Sequence, residues 1–408
     1  MLLLNISRIQ ELLSSDKGLL SIEFFSSNKI IGCLIWCVVF IYAVLMIFYR
    51  YGWKSLKKAN ALSNDLPKVS LIVSLRNEEH NISNLVNCIK NQSYPENKLE
   101  VIFINDHSTD NTLKLLLREK NKWNKLNVVN LEEKERGKKM AIQKGVYLST
   151  GEIIITTDAD CVFNKEWINS MVKYFANPST HLVAGPVVFE KEESFFYKLQ
   201  DLEFLSLIAA GAASIGVNQA IFANGANLAY RRTTFQNLDP FKGNESPSGD
   251  DVFLVHAIKN RYSNSIFFAK DHNAIVKTKA KKSLTSFFNQ RKRWASKTIY
   301  YHDIFTLLIS SLVFLTNLVI LFFLLGFIFS LFSPYISIID FALPLLFLIF
   351  YKSCFDGLLL YSVLVFFKRK YLIKWLIPLQ IIYPLYIISV SLLSVTFSFE
   401  WKQRLYKP

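Results

Sequence analysis

Only five cysteines, at positions 33, 37, 88, 161 and 354, occur in this chain of 408 residues, and no two of them form a Cys-x-x-Cys pair. Such scatter argues against both a zinc site and a disulfide framework. Charge is also sparse, at 19% of residues, whereas hydrophobic residues reach 51% and phenylalanine alone occurs 34 times. That balance is too apolar for an ordinary soluble enzyme of this length. The phosphate loop Gly-x-x-x-x-Gly-Lys-Ser/Thr is absent, as is Gly-x-Gly-x-x-Gly, so the common NTPase and dinucleotide readings lose their main support. No internal repeat or low-complexity segment is apparent. Acids are the scarcer charge, 32 against 47 lysines and arginines, for a formal net charge of +15.

What is present is membrane-like. Ile30–Tyr49 carries no charge and is closed by Lys29 and Arg50; as a helix, twenty residues span roughly 30 Å of hydrocarbon. Its length and late start disfavour a cleaved signal peptide, so a retained anchor is expected. After Asp303 no charge appears before Asp340, Phe341–Phe367 is apolar apart from Lys352 and Asp356, and Trp375–Phe399 is again uncharged. The expected organisation is a 1–29 extracytoplasmic segment, a 30–49 span, a 50–303 cytosolic domain, a 304–399 membrane region of about three segments and a 400–408 tail. Arg50, Lys54, Lys57 and Lys58 follow the first span, which places the domain in the cytosol. Lys368, Arg369 and Lys370 belong on the same side. A third crossing then leaves Lys402, Arg404 and Lys407 outside, unless Pro378 and Pro384 make the last segment re-entrant. Lys352 and Asp356 lie four apart, so they either pair on one helical face or mark an interfacial break.

A basic chain also raises the question of nucleic acid. Lys277, Lys279, Lys281, Lys282, Arg291, Lys292, Arg293 and Lys297 cluster just before a span, however, where anionic lipid headgroups attract them, and no nucleic-acid partner is expected.

From Lys68 the runs VSLIVSL, LEVIFIND, LNVVNL and GEIIITTDAD alternate with amphipathic stretches. Short Val/Ile-rich runs with both faces apolar predict βαβ units, a parallel sheet and the α/β class. Ligands of such sheets sit beyond the carboxyl ends of the strands. Those ends carry Arg76-Asn77-Glu78-Glu79, Asn105-Asp106 and Asp158-Ala159-Asp160, so acids from separate strands converge on one rim. Two carboxylates flanking a small residue suit Mg²⁺ or Mn²⁺ with a diphosphate supplying further ligands, although Asp-x-Asp is also common in turns. Asp106–Asp110 also suits a helix cap, with Asp110 the better candidate. Arg136-Gly137-Lys138-Lys139 opens a helical run, which serves either a phosphate or solvent.

Four patterns, in order, carry a resemblance: VSLRNEE with NDHSTDNT, DAD at 158–160, GDD at 249–251, and QRKRW at 290–294. Together they resemble family 2 glycosyltransferases of the GT-A fold, in the membrane-integrated branch that includes cellulose, hyaluronan and poly-N-acetylglucosamine synthases. The resemblance implies a Rossmann-like, mostly parallel sheet and a nucleotide-sugar donor, a UDP-sugar above all. It implies that Asp106 reads the base, supported by Arg76, Asn77 and Glu78, that Lys138 meets a phosphate, that Asp158 lies near ribose and metal, and that Asp160 is the direct metal ligand. Asp251 takes the place of the general base, with Asp250 where glutamate is usual. Gln290 and Arg293 are assigned to the diphosphate and Trp294 to a sugar face, while Asn224 and Gly225 match an acceptor-facing stretch. Each pattern also has a plain structural reading: helix starts at 250–251, a turn at 224–227, an interfacial amphipathic helix at 290–294. Lys277-Thr278-Lys279 and Ala295-Ser296 depart from the usual neighbours on the acceptor side.

The expected activity is inverting transfer of a sugar to a lipid-linked or growing saccharide, at a bacterial inner (plasma) membrane, with export proteins as possible partners. The rivals are addition of one sugar to a lipid, a non-catalytic export subunit, and nucleotidyl transfer.

Overall fold

A computed structural model describes residues 29–59, 65–243, 246, 248–402 and 404–406. Segment 1–28 and Lys407 lie outside the described residues.

Helix α1 (Lys29–Lys54) leads into the globular part. There β1 (Val69–Leu75), α2 (Ile82–Lys90), β2 (Leu99–Asn105), α3 (Thr112–Lys122), β3 (Leu126–Asn130), α4 (Lys138–Leu148) and β4 (Ile153–Thr157) alternate as their hydrophobic periods predict. Two short strands, β5 (Val162–Phe163) and β6 (Leu182–Ala184), precede β7 (Val187–Phe189) and the long helix α5 (Phe195–Gly216). After β8 (Leu228–Arg231) come α6 (Asp250–Arg261), β9 (Ile266–Phe268), β10 (Val276–Thr278) and α7 (Leu284–Ser296). Three apolar helices follow, α8 (Ile304–Ser330), α9 (Ile338–Phe366) and α10 (Leu376–Thr396), and then a hairpin of β11 (Phe399–Trp401) and β12 (Arg404–Tyr406).

The main sheet has the order β3-β2-β1-β4-β8-β6-β9, and a smaller one the order β5-β10-β7. Strands β1 to β4 run parallel, and β8 is antiparallel to both β4 and β6. Their faces are covered on both sides: Val101, Ile102, Phe103 and Ile104 are each at most 1% exposed. Each such side chain contributes about 1.5–3 kcal/mol through burial, and the continuous apolar run exists because both faces must be apolar. Register then sets the rim. Leu75 pairs with Asn105 and Val73 with Thr157, so Arg76, Asp106 and Asp158 emerge at one edge.

Among the described residues, four helices are long and apolar enough to cross a membrane, at 32–54, 304–330, 338–366 and 370–396. Helix α1 docks on α5 backbone to backbone: a Cβ added at Gly216 would stand 1.9 Å from the Gly52 carbonyl oxygen. Helix α9 runs unbroken through Lys352 and Asp356, so of the two arrangements open in the sequence it is the paired face that forms. Lys352 Nζ donates to Asp356 Oδ2 at 2.6 Å and to Gln380 Oε1 at 2.8 Å, while Tyr42 Oη donates to Asp356 Oδ1 at 2.6 Å. One buried network therefore ties α1, α9 and α10 together.

Arg369, before α10, donates to the Phe189 carbonyl at 2.7 Å. Beyond α10, Arg404 reaches Asp106. Both flanks of α10 thus touch the globular domain.

Candidate active site

A cavity of about 960 Å³ opens at the sheet rim and continues between the apolar helices. Asp106, Asp158, Asp160, Asp251, Arg293 and Trp294 all face it.

Its nucleotide-side wall begins where β1 ends. Arg76 Nη1 donates to the carbonyls of Asp106 at 2.9 Å and His107 at 2.7 Å. Asn77, in the left-handed region at φ 52°, accepts from Thr109 N–H at 2.8 Å, and Glu78 accepts from Asn81 Nδ2 at 2.6 Å. Asp106 is 4% exposed and accepts from Gly137 N–H at 3.1 Å. The capping role falls to Asp110, which accepts from Thr112 N–H at 2.9 Å. Asp106 also lines the cavity.

Gly137, at φ 93°, turns the chain into α4 and delivers Lys138. Lys138 Nζ lies 2.7 Å from Asp158 Oδ1 and 3.5 Å from Asp250 Oδ2. Burial alone would lower the Lys138 ammonium, but Asp158 and Asp250 outweigh it and hold it above the ordinary lysine range. The same pairing outweighs burial at Asp158, whose carboxyl lies below its usual range. Asp160, two residues on, accepts from Thr278 Oγ1 at 3.0 Å. Among the described residues no cluster of three or more His, Cys, Asp or Glu side chains is arranged to hold a metal. Two carboxylates on one turn fit a hard divalent cation that takes its other ligands from diphosphate and water, and not a closed structural site.

Beside Lys138, α6 starts at Asp250, after Gly249 at φ 98°. Asp251 Oδ1 accepts from Val252 N–H at 2.8 Å and Lys297 Nζ at 3.1 Å, and Oδ2 accepts from Gly225 N–H at 3.1 Å. Burial would raise its pKa, but Lys297 and Lys138 outweigh burial and hold Asp251 below the usual carboxylate range. Asp250 goes the other way: burial raises it, and Asp251 adds to the effect. Asn224 folds the adjoining turn by accepting from Ala226 N–H at 3.0 Å. A side chain at Gly225 would crowd Asp250 Oδ2 at 3.1 Å and Lys138 Nζ at 3.3 Å. Glycine there lets both groups keep their positions without shifting.

Helix α7 divides its basic residues. Arg293, Gln290 and Trp294 face the cavity. Arg291, grouped above with the headgroup-facing cations, instead points inward: it is 3% exposed, contacts both carboxylate oxygens of Glu203 and lies 4.3 Å over the Trp294 ring. One face of Trp294 is therefore already covered. Lys297 likewise serves Asp251 and not the lipid surface. A helix lying against a domain turns one face, recurring every three to four residues, toward the protein, and Arg291 falls on that face. Sequence reasoning missed Glu203, Lys297 as a partner of Asp251, and Arg404 as a partner of Asp106, because no local spacing connects them.

Residues 70–239 match the family described as Glycosyl transferase family 2. Over that stretch the chain is similar to the family 2 glycosyltransferases. The transferase domain has named relatives: glycosyltransferase AglE of Haloferax volcanii is 26% identical over 219 residues, covering 52% of this chain and 67% of that protein. Probable glycosyltransferase YdaM of Bacillus subtilis is 25% identical over 280 residues, covering 65% of this chain and 64% of that protein. The poly-beta-1,6-N-acetyl-D-glucosamine synthase of Staphylococcus epidermidis is 30% identical over 141 residues, 34% of this chain and 33% of its own. This chain thus spans between a third and two thirds of these relatives. Among solved structures, the mannosyltransferase PcManGT from Pyrobaculum calidifontis, in complex with GDP-Man and Mn²⁺, superposes with a TM-score of 0.54 at 19% identity, over 90% of this chain and 99% of that one. That likeness establishes the GT-A fold of the transferase domain.

Proposed function

We propose that this protein is an inverting, metal-dependent membrane glycosyltransferase, moving a sugar from a nucleoside-diphosphate donor to a hydroxyl of a lipid-linked or growing saccharide. The observation that supports it best is that Asp106, Asp158, Asp160 and Asp251 all line one cavity. Asp251 is held ionised by Lys297 and oriented by two backbone N–H groups, so it is ready to accept a proton. In the reaction the acceptor O–H gives its proton to Asp251 while its oxygen attacks C1 of the donor sugar. The C1–O bond to phosphate breaks and its electron pair leaves with the nucleoside diphosphate, which inverts the anomeric centre. Arg293 and Gln290 line the path of the leaving diphosphate, and a planar guanidinium suits its oxygens. A Mg²⁺ or Mn²⁺ ion on Asp158 and Asp160 would neutralise charge on the leaving group.

The resemblance favours a UDP-sugar, and the structural neighbour's own ligand keeps a GDP-sugar in the test. The basic residues after α1 support a cytosolic position for the domain. The contacts at both flanks of α10 support a re-entrant path, which among the described residues leaves α1, α8 and α9 as crossing helices and favours addition of a single sugar over polymerisation. Release of UDP or GDP from a panel of nucleotide sugars, with Mn²⁺ and then with EDTA, tests the transferase reading, and product length separates the two modes. Silence across the panel, with no donor binding by calorimetry, would favour a non-catalytic subunit.

A further inference from the structure

Asp106 occupies the place of a base-reading carboxylate, yet both its oxygens are taken. Arg404 Nη1 donates to Oδ2 at 2.7 Å and Nη2 to Oδ1 at 2.9 Å, a two-pronged contact made across 298 residues of sequence. Arg76 is engaged as well: its Nε donates to the Lys402 carbonyl at 2.9 Å, and Lys402 Nζ donates back to the Arg76 carbonyl at 2.8 Å and pairs with Glu78. Three of the side chains expected to hold a nucleotide are therefore tied to one hairpin.

We infer that the 399–406 hairpin is a strap across the base end of the donor pocket, and that nucleotide and hairpin exclude each other there. The inference rests on reading the cavity as a nucleoside-diphosphate site. A carboxylate gripped by a guanidinium fork has its best lone pairs occupied, and a base that donates to Asp106 needs one of them. Displacement is feasible because the strap is slight. It consists of two three-residue strands, paired Phe399 with Tyr406 and Trp401 with Arg404, and a lone two-stranded hairpin has little stability of its own. Arg404, Lys402 and Tyr406 all line the cavity, so release of the strap enlarges the same space that the donor enters. The strap also follows α10 directly and packs on α7, the helix that carries Gln290 and Arg293. Donor arrival is thereby linked to α10.

The test is calorimetric titration of the full-length protein with UDP and with GDP, each with Mn²⁺, for wild type, Arg404→Ala and Arg404→Lys, combined with hydrogen exchange of the hairpin amides. The strap predicts that Arg404→Ala binds one nucleotide about tenfold more tightly, since the open state no longer competes with a closed one. Arg404→Lys, which keeps the charge and loses the fork, falls between. In wild type the amides of 399–406 lose protection when nucleotide is added. Weaker binding by Arg404→Ala, with hairpin amides more protected in the complex, overturns the strap and makes Arg404 a donor contact while leaving the donor site intact. Unchanged affinity with unchanged protection overturns it too. No binding of either nucleotide by any of the three proteins removes the donor-site reading and the strap together.

Discussion

Lys297 Nζ sits 3.1 Å from Asp251 Oδ1, bringing the turn after α7 against the first turn of α6. The ammonium favours the charged carboxylate and so sets the pH at which Asp251 can accept a proton. Asp251 must be ionised to act, and activity falls as pH drops through its pKa. Lys297→Gln removes the main cause of the depressed value, so the acid limb of kcat/KM moves to higher pH. The pH profile of both proteins measures the shift, and a limb that stays in place would detach Lys297 from the base.

Asp251→Asn keeps the shape of the site and loses the proton acceptor. Turnover should fall roughly 10²–10⁴-fold, the usual worth of a positioned base, with donor affinity nearly unchanged. Single-turnover assays alongside calorimetry separate these two effects.

Asp160→Asn removes one of two carboxylates available to a cation. Nucleotide binding in Mn²⁺ should weaken toward the level seen in EDTA, while the EDTA value itself barely changes. A mutant that still gains affinity from Mn²⁺ would place the metal elsewhere.

The contact between α1 and α5 leaves no room for a methyl group. Gly216→Ala forces a Cβ into the Gly52 carbonyl, and overpacking of this kind costs about 1–3 kcal/mol. Thermal unfolding in detergent should show a lowered Tm, whereas Gly243→Ala, with nothing within 4 Å of its added Cβ, reports only the strain of its backbone.

Arg291 and Glu203 form a buried pair, 3% and 4% exposed at the side chain. Breaking it with Arg291→Met leaves a buried carboxylate and should cost about 3–5 kcal/mol, whereas replacing both partners with apolar residues should recover most of that. The Tm values of wild type, single and double variants decide it.

Much of this arrangement is legible in the chain itself. Strand cores written as unbroken Val/Ile runs, with acids at their ends, give the parallel sheet and its rim, and Asp106, Asp158 and Asp160 fall where those runs stop. Other features have no local signature. Arg291 and Arg293 are two apart in one basic run, yet one grips Glu203 and the other faces the cavity; that division depends on what packs beside the helix. Arg404 meets Asp106 only because the chain beyond α10 reaches the globular domain, and no local pattern announces that contact.

Lys138 stands between Asp158 and Asp250, and so, on the proposed assignment, between the metal end of the cavity and its acceptor end. An ammonium shared by two acids is a common counter-ion. A divalent cation arriving at Asp158 would repel it toward Asp250, whose burial already favours the neutral form. Filling one half of the cavity therefore changes the charge felt in the other, and linkage makes the effect reciprocal: whatever the acceptor gains from a loaded donor, the donor gains in equal measure from the acceptor.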